Sequence, residues 1–158
     1  MEEQVKKSVK KTAKREYVYA TGRRKSAVAR VRLYEKAKAD LMWGELAVKK
    51  GDIIVNEKPI ADYFGGEVNK HLYTEPLRVT NAHQQNYTFT IRVVGGGPAG
   101  QLQAVVAGIA NALNALDRDK NRPILKKKGL LTRDDRVRQR RKVGMGGKSR
   151  RKKQSPKR

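Results

Sequence analysis

Glycine, rather than any catalytic side chain, gives the sharpest chemical signal in this chain. In GGGPAGQ, Gly95, Gly97 and Gly100 fit the spacing GxGxxG, after an alternating apolar stretch and before a helical one. The dinucleotide fingerprint would need an acidic residue at the end of a second parallel strand about twenty positions on. Asp117 lies seventeen residues past Gly100, but it ends a helical stretch with no strand after it, and the folded part is too short for a doubly wound sheet. The phosphate loop of nucleoside triphosphatases fails on side chains: Gln101 and Leu102 stand where a lysine and a hydroxyl residue are needed. Two readings remain. The turn's backbone N–H groups, at a helix N-terminus with no side chains in the way, make an anion site whose natural occupant is a nucleic-acid phosphate. The alternative is a tight strand-to-helix turn with no ligand.

Other constellations are missing. Ser26, Ser149 and Ser155 have no paired histidine and carboxylate for acyl chemistry. His71 and His83 stand twelve residues apart with no third ligand, so they read as structural or solvent-facing. No carboxylate cluster suggests a metal nuclease, and Asp134-Asp135 reads as a local cap or as a partner for Arg133 and Arg136. The chain has no cysteine, which excludes disulfides and thiolate metal sites. No enzyme, cofactor, metal or small-molecule substrate is expected. No apolar run approaches the ~18 residues of a membrane span, and the charged N-terminus is not a secretory signal. A cytoplasmic location is therefore expected.

Charge supplies the positive argument. The net charge of +23 is distributed unevenly: residues 117–158 hold nineteen basic and four acidic groups, residues 17–116 thirteen and eight, and residues 1–16 six and three. Charge piled into one end is the footprint of a polyanion binder, which points to nucleic acid. Residues 129–158 hold only Leu130, Leu131, Val137, Val143 and Met145 as apolar side chains. They cannot bury enough surface to offset chain entropy and should stay extended and mobile until they meet a partner.

The elements that must position these groups follow from periodicity. Residues 1–16 read as a flexible basic arm, 17–128 as a globular body and 129–158 as an extended tail. YVYATG predicts a strand ending at Gly22, followed by a turn holding Arg23, Arg24 and Lys25. From Ala27 the chain alternates, with Ala27, Ala29, Val31 and Leu33 on one face and Val28, Arg30, Arg32 and Tyr34 on the other. This is a half-buried strand with a basic face suited to an RNA backbone. Residues 35–51, with the only tryptophan, Trp43, form either a long hairpin loop or a short helix-like excursion. Next come a strand at Ile53–Val55, a turn at Asn56-Glu57, and a short helix with Pro59 in its first turn and a stop at Gly65-Gly66. A helix is expected over 67–74, broken into an extended link at Pro76, then a strand over 86–94. Leu102, Val105, Val106, Ile109, Leu113 and Leu116 mark a long amphipathic helix opened by Pro98, in which Gly108 implies close packing. A short helix restarts at Asn121-Arg122-Pro123 and stops at Gly129.

Four stretches in order then carry a resemblance: TGRRKSAVARVRL (21–33), GGGPAGQ with IANAL (95–113), LKKKGLLTRD with RRKVG (125–144), and the terminal Lys-Arg. Together they resemble the ninth protein of the small ribosomal subunit, bacterial type. The resemblance implies an α+β fold: a single small domain with an about four-stranded mixed sheet covered by helices, like domain two of ribosomal protein five, and a long basic C-terminal tail. It implies a structural constituent of the small subunit that binds 16S rRNA in the head, beside neighbouring head proteins, with its tail reaching the anticodon stem-loop of P-site tRNA. Its rRNA-facing positions fall on Arg23, Arg24, Lys25, Gly96, Gly97, Gln101, Lys126, Lys127, Arg133, Arg136, Arg140, Arg141 and Lys142. Residue patterning adds Arg30, Arg32, Gly95, Lys128, Lys148, Arg150 and Arg151. The tRNA contact falls on Lys157 and Arg158. Segment 35–51 is longer than the family's usual hairpin, and the end KQSPKR lacks the aromatic that usually precedes Ser-Lys-Arg, with Pro156 before the lysine. The alternatives are a free-standing basic RNA chaperone or double-stranded-RNA module, which would bind many RNAs alike, and a nucleotide-dependent enzyme, which would bind a nucleotide saturably.

Overall fold

A computed structural model describes residues 16–35, 42–44, 46–82 and 87–147. Residues 1–15 of the N-terminal arm, His83, Lys148, Arg150, Arg151, Lys157 and Arg158 lie outside the described residues. In chain order the elements are β1 (Val18–Arg24), β2 (Ala27–Tyr34), β3 (Met42–Trp43), β4 (Leu46–Ala47), β5 (Ile53–Val55), β6 (Lys58–Pro59), α1 (Ile60–Tyr63), α2 (Glu67–Val79), β7 (Thr88–Val94), α3 (Pro98–Leu116) and α4 (Arg118–Lys127). The fold is α+β with a mixed sheet in the order β1-β2-β7-β5-β6, five strands rather than about four, because Lys58–Pro59 adds a short edge. β5 runs parallel to β7, and α1 and α2 lie in the crossover that such a pair requires.

The strand alternation predicted from sequence becomes rows of side chains across one face. Val18, Leu33, Phe89 and Ile53 share a row; Ala20, Val31, Ile91 and Val55 share the next; Gly22, Ala29 and Val93 form the third. α3 lies on this face and supplies Leu102, Val105, Ile109 and Leu113, all buried. Gly22 of the third row has no side chain because the helix comes closest there. A Cβ on Gly108 would stand 2.6 Å from Cγ2 of Val31, and one on Gly22 would strike the Ala104 carbonyl oxygen and the Gly108 amide nitrogen. The mid-helix glycine thus trades roughly 1 kcal/mol of helix propensity for backbone contact.

Several expected boundaries move. β1 runs on through Arg23 and Arg24, leaving only Lys25 and Ser26 in the turn. Pro59 belongs to β6 and caps α1 rather than lying in its first turn. α2 continues through Pro76 instead of ending near residue 74. Pro76 is buried with Tyr73 and Leu77, and the carbonyl it deprives of a donor belongs to exposed Leu72, where water can take over, so packing outweighs the missing bond. Val68 and Leu72 face solvent. α4 begins at Arg118 rather than at Asn121, and Asn121 Nδ2 donates to the Leu113 carbonyl at 2.8 Å, closing the end of α3. The stop at Gly129 holds: with φ of 73°, Gly129 donates to Lys126 O and Leu130 N–H donates to Leu125 O, the paired bonds of a Schellman motif.

Candidate nucleic-acid interface

Strand-end geometry brings the glycine turn against the β1–β2 turn. Gly95 and Gly96 take φ of 76° and 69°, a region side chains disfavour. A Cβ on Gly95 would meet the Ser26 carbonyl oxygen at 2.6 Å, and one on Gly96 would meet Cβ of Ala27 at 2.9 Å. Gln101 ties the turn from within, donating from Nε2 to Gly95 O (3.1 Å) and accepting from the Tyr63 hydroxyl at Oε1 (2.9 Å). Gln101, Gly95 and Gly96 therefore have a packing role, as the turn-only reading holds. Gly97 meets nothing within 4 Å, and no side chain caps the first turn of α3. Pro98 has no N–H, so Ala99 and Gly100 carry that turn's free donors, toward solvent and beside exposed Lys25.

Arg24 has a different place from its neighbours. Its Nε donates to Gln103 Oε1 at 2.7 Å, and its Nη1 donates to the carbonyls of Asp134 (3.3 Å) and Arg136 (3.0 Å) and pairs with Asp134 Oδ1 at 3.1 Å. Its side chain is only 15% exposed. The sequence placed Arg24 against RNA; the structure directs it inward, as the latch that holds segment 130–136 on the body. Asp134 partners Arg136 (2.8 Å) and Arg24, not Arg133. The hydrogen bonds from the Arg136 side chain and backbone, helped by the charges of Arg136 and Arg24, hold the Asp134 carboxyl well below the usual carboxylate range. Leu130 and Leu131 pack against the core, so the first residues assigned to the tail are docked.

The remaining positions form two groups. Arg23 and Arg133, 110 residues apart in sequence, line one hollow of about 190 Å³ with Thr21, Asn111 and Thr132. Lys126, Lys127 and Lys128 are exposed at the end of α4, where cations complement the helix dipole, and Arg140, Arg141 and Lys142 are exposed beyond the latch. Arg30 and Arg32 lie on the sheet face opposite α3, with Arg30 directly across the strands from Thr21 of that hollow. Arg32 is held between the rings of Tyr17 (5.1 Å) and Trp43 (5.0 Å), whereas Arg30 is exposed. Arg92 was missed: it lies directly across from Arg30 on the same face, and only its alternation within β7 hinted at that. His71 is exposed on α2. Among the described residues no group of three or more potential ligands could hold a metal, and no helix is long and apolar enough to cross a membrane.

The scaffold is α+β, and its C-terminal segment carries a run of exposed basic side chains from Lys126 onward. Residues 22–158 match the family described as ribosomal protein S9/S16. The chain is also similar to the small ribosomal subunit protein uS9 of Leifsonia xyli subsp. xyli (strain CTCB07), at 44% identity over 126 residues, covering 80% of this chain and 67% of that protein. The chain belongs to the ribosomal protein S9 family.

Proposed function

We propose that this protein is a non-enzymatic, structural constituent of the small ribosomal subunit, acting in the cytoplasm. Its body, residues 17–128, binds 16S rRNA in the head next to neighbouring head proteins, with a sheet-and-helix fold like domain two of ribosomal protein five. Its tail, residues 129–158, follows rRNA and brings Lys157 and Arg158 to the anticodon stem-loop of P-site tRNA. The observation that carries the reading is that exposed Lys25 lies in the turn packed against the glycine run at the open end of α3, while Arg23 and Arg133 meet in one hollow farther along that helix, in a chain of this family. Backbone donors at the glycine turn suit a phosphate oxygen, and paired guanidinium groups suit a bent RNA backbone. An A-form helix exposes phosphates and 2′-hydroxyls while hiding its major-groove edges, so such a surface reads shape. Within this reading Arg24 and Arg136 serve RNA indirectly, by fixing the start of the tail.

The test is subunit reconstitution with the full chain and with a variant lacking Lys157 and Arg158. Both should co-sediment with small subunits. The variant should hold P-site tRNA more weakly in filter binding at fixed salt, with a salt slope lower by roughly 1–2 units, because two phosphate contacts are gone. Unchanged tRNA affinity would remove the tail contact from the reading, and failure of the full chain to co-sediment would remove the ribosomal role.

A further inference from the structure

The segment between β2 and β5, longer than a plain hairpin needs to be, folds back over the open face of the sheet. β3 and β4 pair as Met42↔Ala47 and Trp43↔Leu46. Val48, just past β4, is only 2% exposed and anchors the segment. Gly44, at φ of 64°, turns the hairpin against Glu57, whose carboxyl carbon would stand 3.1 Å from a Cβ there. Trp43 stacks on Arg32, which is fixed from its other side by Tyr17. This is a hairpin among the described residues, not the helix-like excursion, and it makes one wall of a groove of about 410 Å³ lined by Trp43, Asn56, Glu57, Arg92, Val93 and Val94.

The groove's chemistry is specific. Asn56 is committed to the fold: Nδ2 donates to the Val93 carbonyl (3.0 Å), and Oδ1 accepts from the Val93 N–H (2.8 Å). What the groove offers a ligand is the Trp43 ring, the 60% exposed Val94 side chain, the Glu57 carboxylate and the Arg92 guanidinium. Arg92 is paired across the strands with Arg30; both are exposed, and neither has an acidic partner among the described residues. Like charges directly opposite one another destabilise a sheet, and an anion between them reverses that cost. Arg92 is also the diagonal neighbour of Arg32, on which Trp43 rests, a spacing of about 7–8 Å that is comparable to the reach from a base to its phosphate.

We propose that this groove takes an unpaired nucleotide of RNA, its base against Trp43 and Val94 and its phosphate between Arg30 and Arg92. Glu57 is the acceptor for an amino or imino group of that base. The proposal rests on the RNA-binding reading above and adds to it a surface on the sheet face away from α3. An acidic peptide would satisfy the arginines but leave the aromatic and apolar wall without a partner.

Trp43 is the only tryptophan, so its fluorescence reports on the groove directly in the full-length protein. A single-stranded oligoribonucleotide of about ten residues is titrated in, against an abasic oligonucleotide of equal length and against polyglutamate. Expected are saturable quenching by the base-carrying strand alone and, for Arg92→Gln or Arg30→Gln, a roughly 10- to 100-fold weaker quenching midpoint, the range for losing a charge-assisted hydrogen bond to the phosphate. Quenching equal with abasic strand or polyglutamate would overturn base stacking. Labelled RNA that binds, seen by anisotropy, while Trp43 stays unquenched would overturn the groove and leave the ribosomal reading intact. No RNA binding by either signal would count against both. Should one glutamine variant fail to fold by circular dichroism, the other and the wild-type quenching still decide the matter.

Discussion

Single side chains here divide between those that face outward and those turned to internal work, and Thr90 falls in neither group. Its hydroxyl is buried, and Oγ1 has no hydrogen-bond partner among the described residues. Its neighbour Thr88 accepts from the Gly51 amide at 3.1 Å, so equal residue types two apart have unequal roles. A buried hydroxyl without a partner costs desolvation energy, and an isosteric apolar group does not. Thr90→Val should therefore raise unfolding stability by roughly 0.5–1.5 kcal/mol in urea denaturation, whereas Thr88→Val should lower it. A lower midpoint for Thr90→Val would mean that the hydroxyl has a partner, such as a bound water. Asp134 has the opposite character. Its carboxyl is held below the ordinary carboxylate range by Arg136 first and Arg24 second, so the latch is fully formed above the usual value near 4 and is lost as pH falls through the lowered one. The Arg136 Nε–H signal, which reports the bond to Asp134, should stay native-like at pH 4 and move only well below it when followed by NMR from about pH 7 downward. Asp134→Asn should show no such transition, because its side chain does not titrate.

Among the elements, the contact of α3 with β1 sets how near the helix lies to the sheet. Gly22 and Gly108 meet there: Gly22 cannot be enlarged without moving the backbone of α3, nor Gly108 without displacing Cγ2 of Val31. Gly22→Ala should cost about 1–3 kcal/mol or more, read from the urea midpoint with the slope unchanged, since overpacking cannot be relieved by a side-chain rotation. Gly65→Ala is the control: nothing lies within 4 Å of that position, so its stability should stay within about 0.5 kcal/mol. The glycine turn shows why one pattern supported two readings. Gly95 and Gly96 are required by their positive φ and by the approach of the β1–β2 turn, whereas Gly97 is open and has no such structural demand. The structural demand of the turn thus falls on Gly95 and Gly96, and the proposed phosphate contact on Gly97.

For the molecule as a whole, two groups of basic side chains bear on RNA binding. One combines the glycine turn, the Arg23–Arg133 hollow and the docked start of the C-terminal segment; the other is the Arg30–Arg92 face under Trp43. Arg23 and Arg92 stand on one face, two strands and two positions apart, roughly 12 Å by strand spacing and rise, so they should act independently on RNA affinity. Arg23→Gln combined with Arg92→Gln should give the sum of the two single effects within about 0.5 kcal/mol, measured by filter binding at one salt concentration. A larger coupling would mean that both surfaces hold one RNA element.

Much of this architecture could be read locally. The period of two in residues 27–34 and 87–94, the helical stripe from Leu102 to Leu113, the Gly129 stop and the basic C-terminal third follow from neighbouring residues, because side-chain direction repeats within each element. The errors share a different origin. α2 runs through Pro76 because its buried face packs on the body, and α4 starts early because Asn121 closes α3. Arg24 and Arg32 were read with Arg23 and Arg30 as equal cations, yet Arg24 is bound by a segment 110 residues away and Arg32 lies between two rings. The facing of Arg30 and Arg92, on strands separated by more than fifty residues, is a matter of cross-strand register. Sequence could say how many charges there are and on which face of a strand they lie. Which charges reach solvent, and which meet one another, was decided by register and docking, because those contacts join residues that no local period connects.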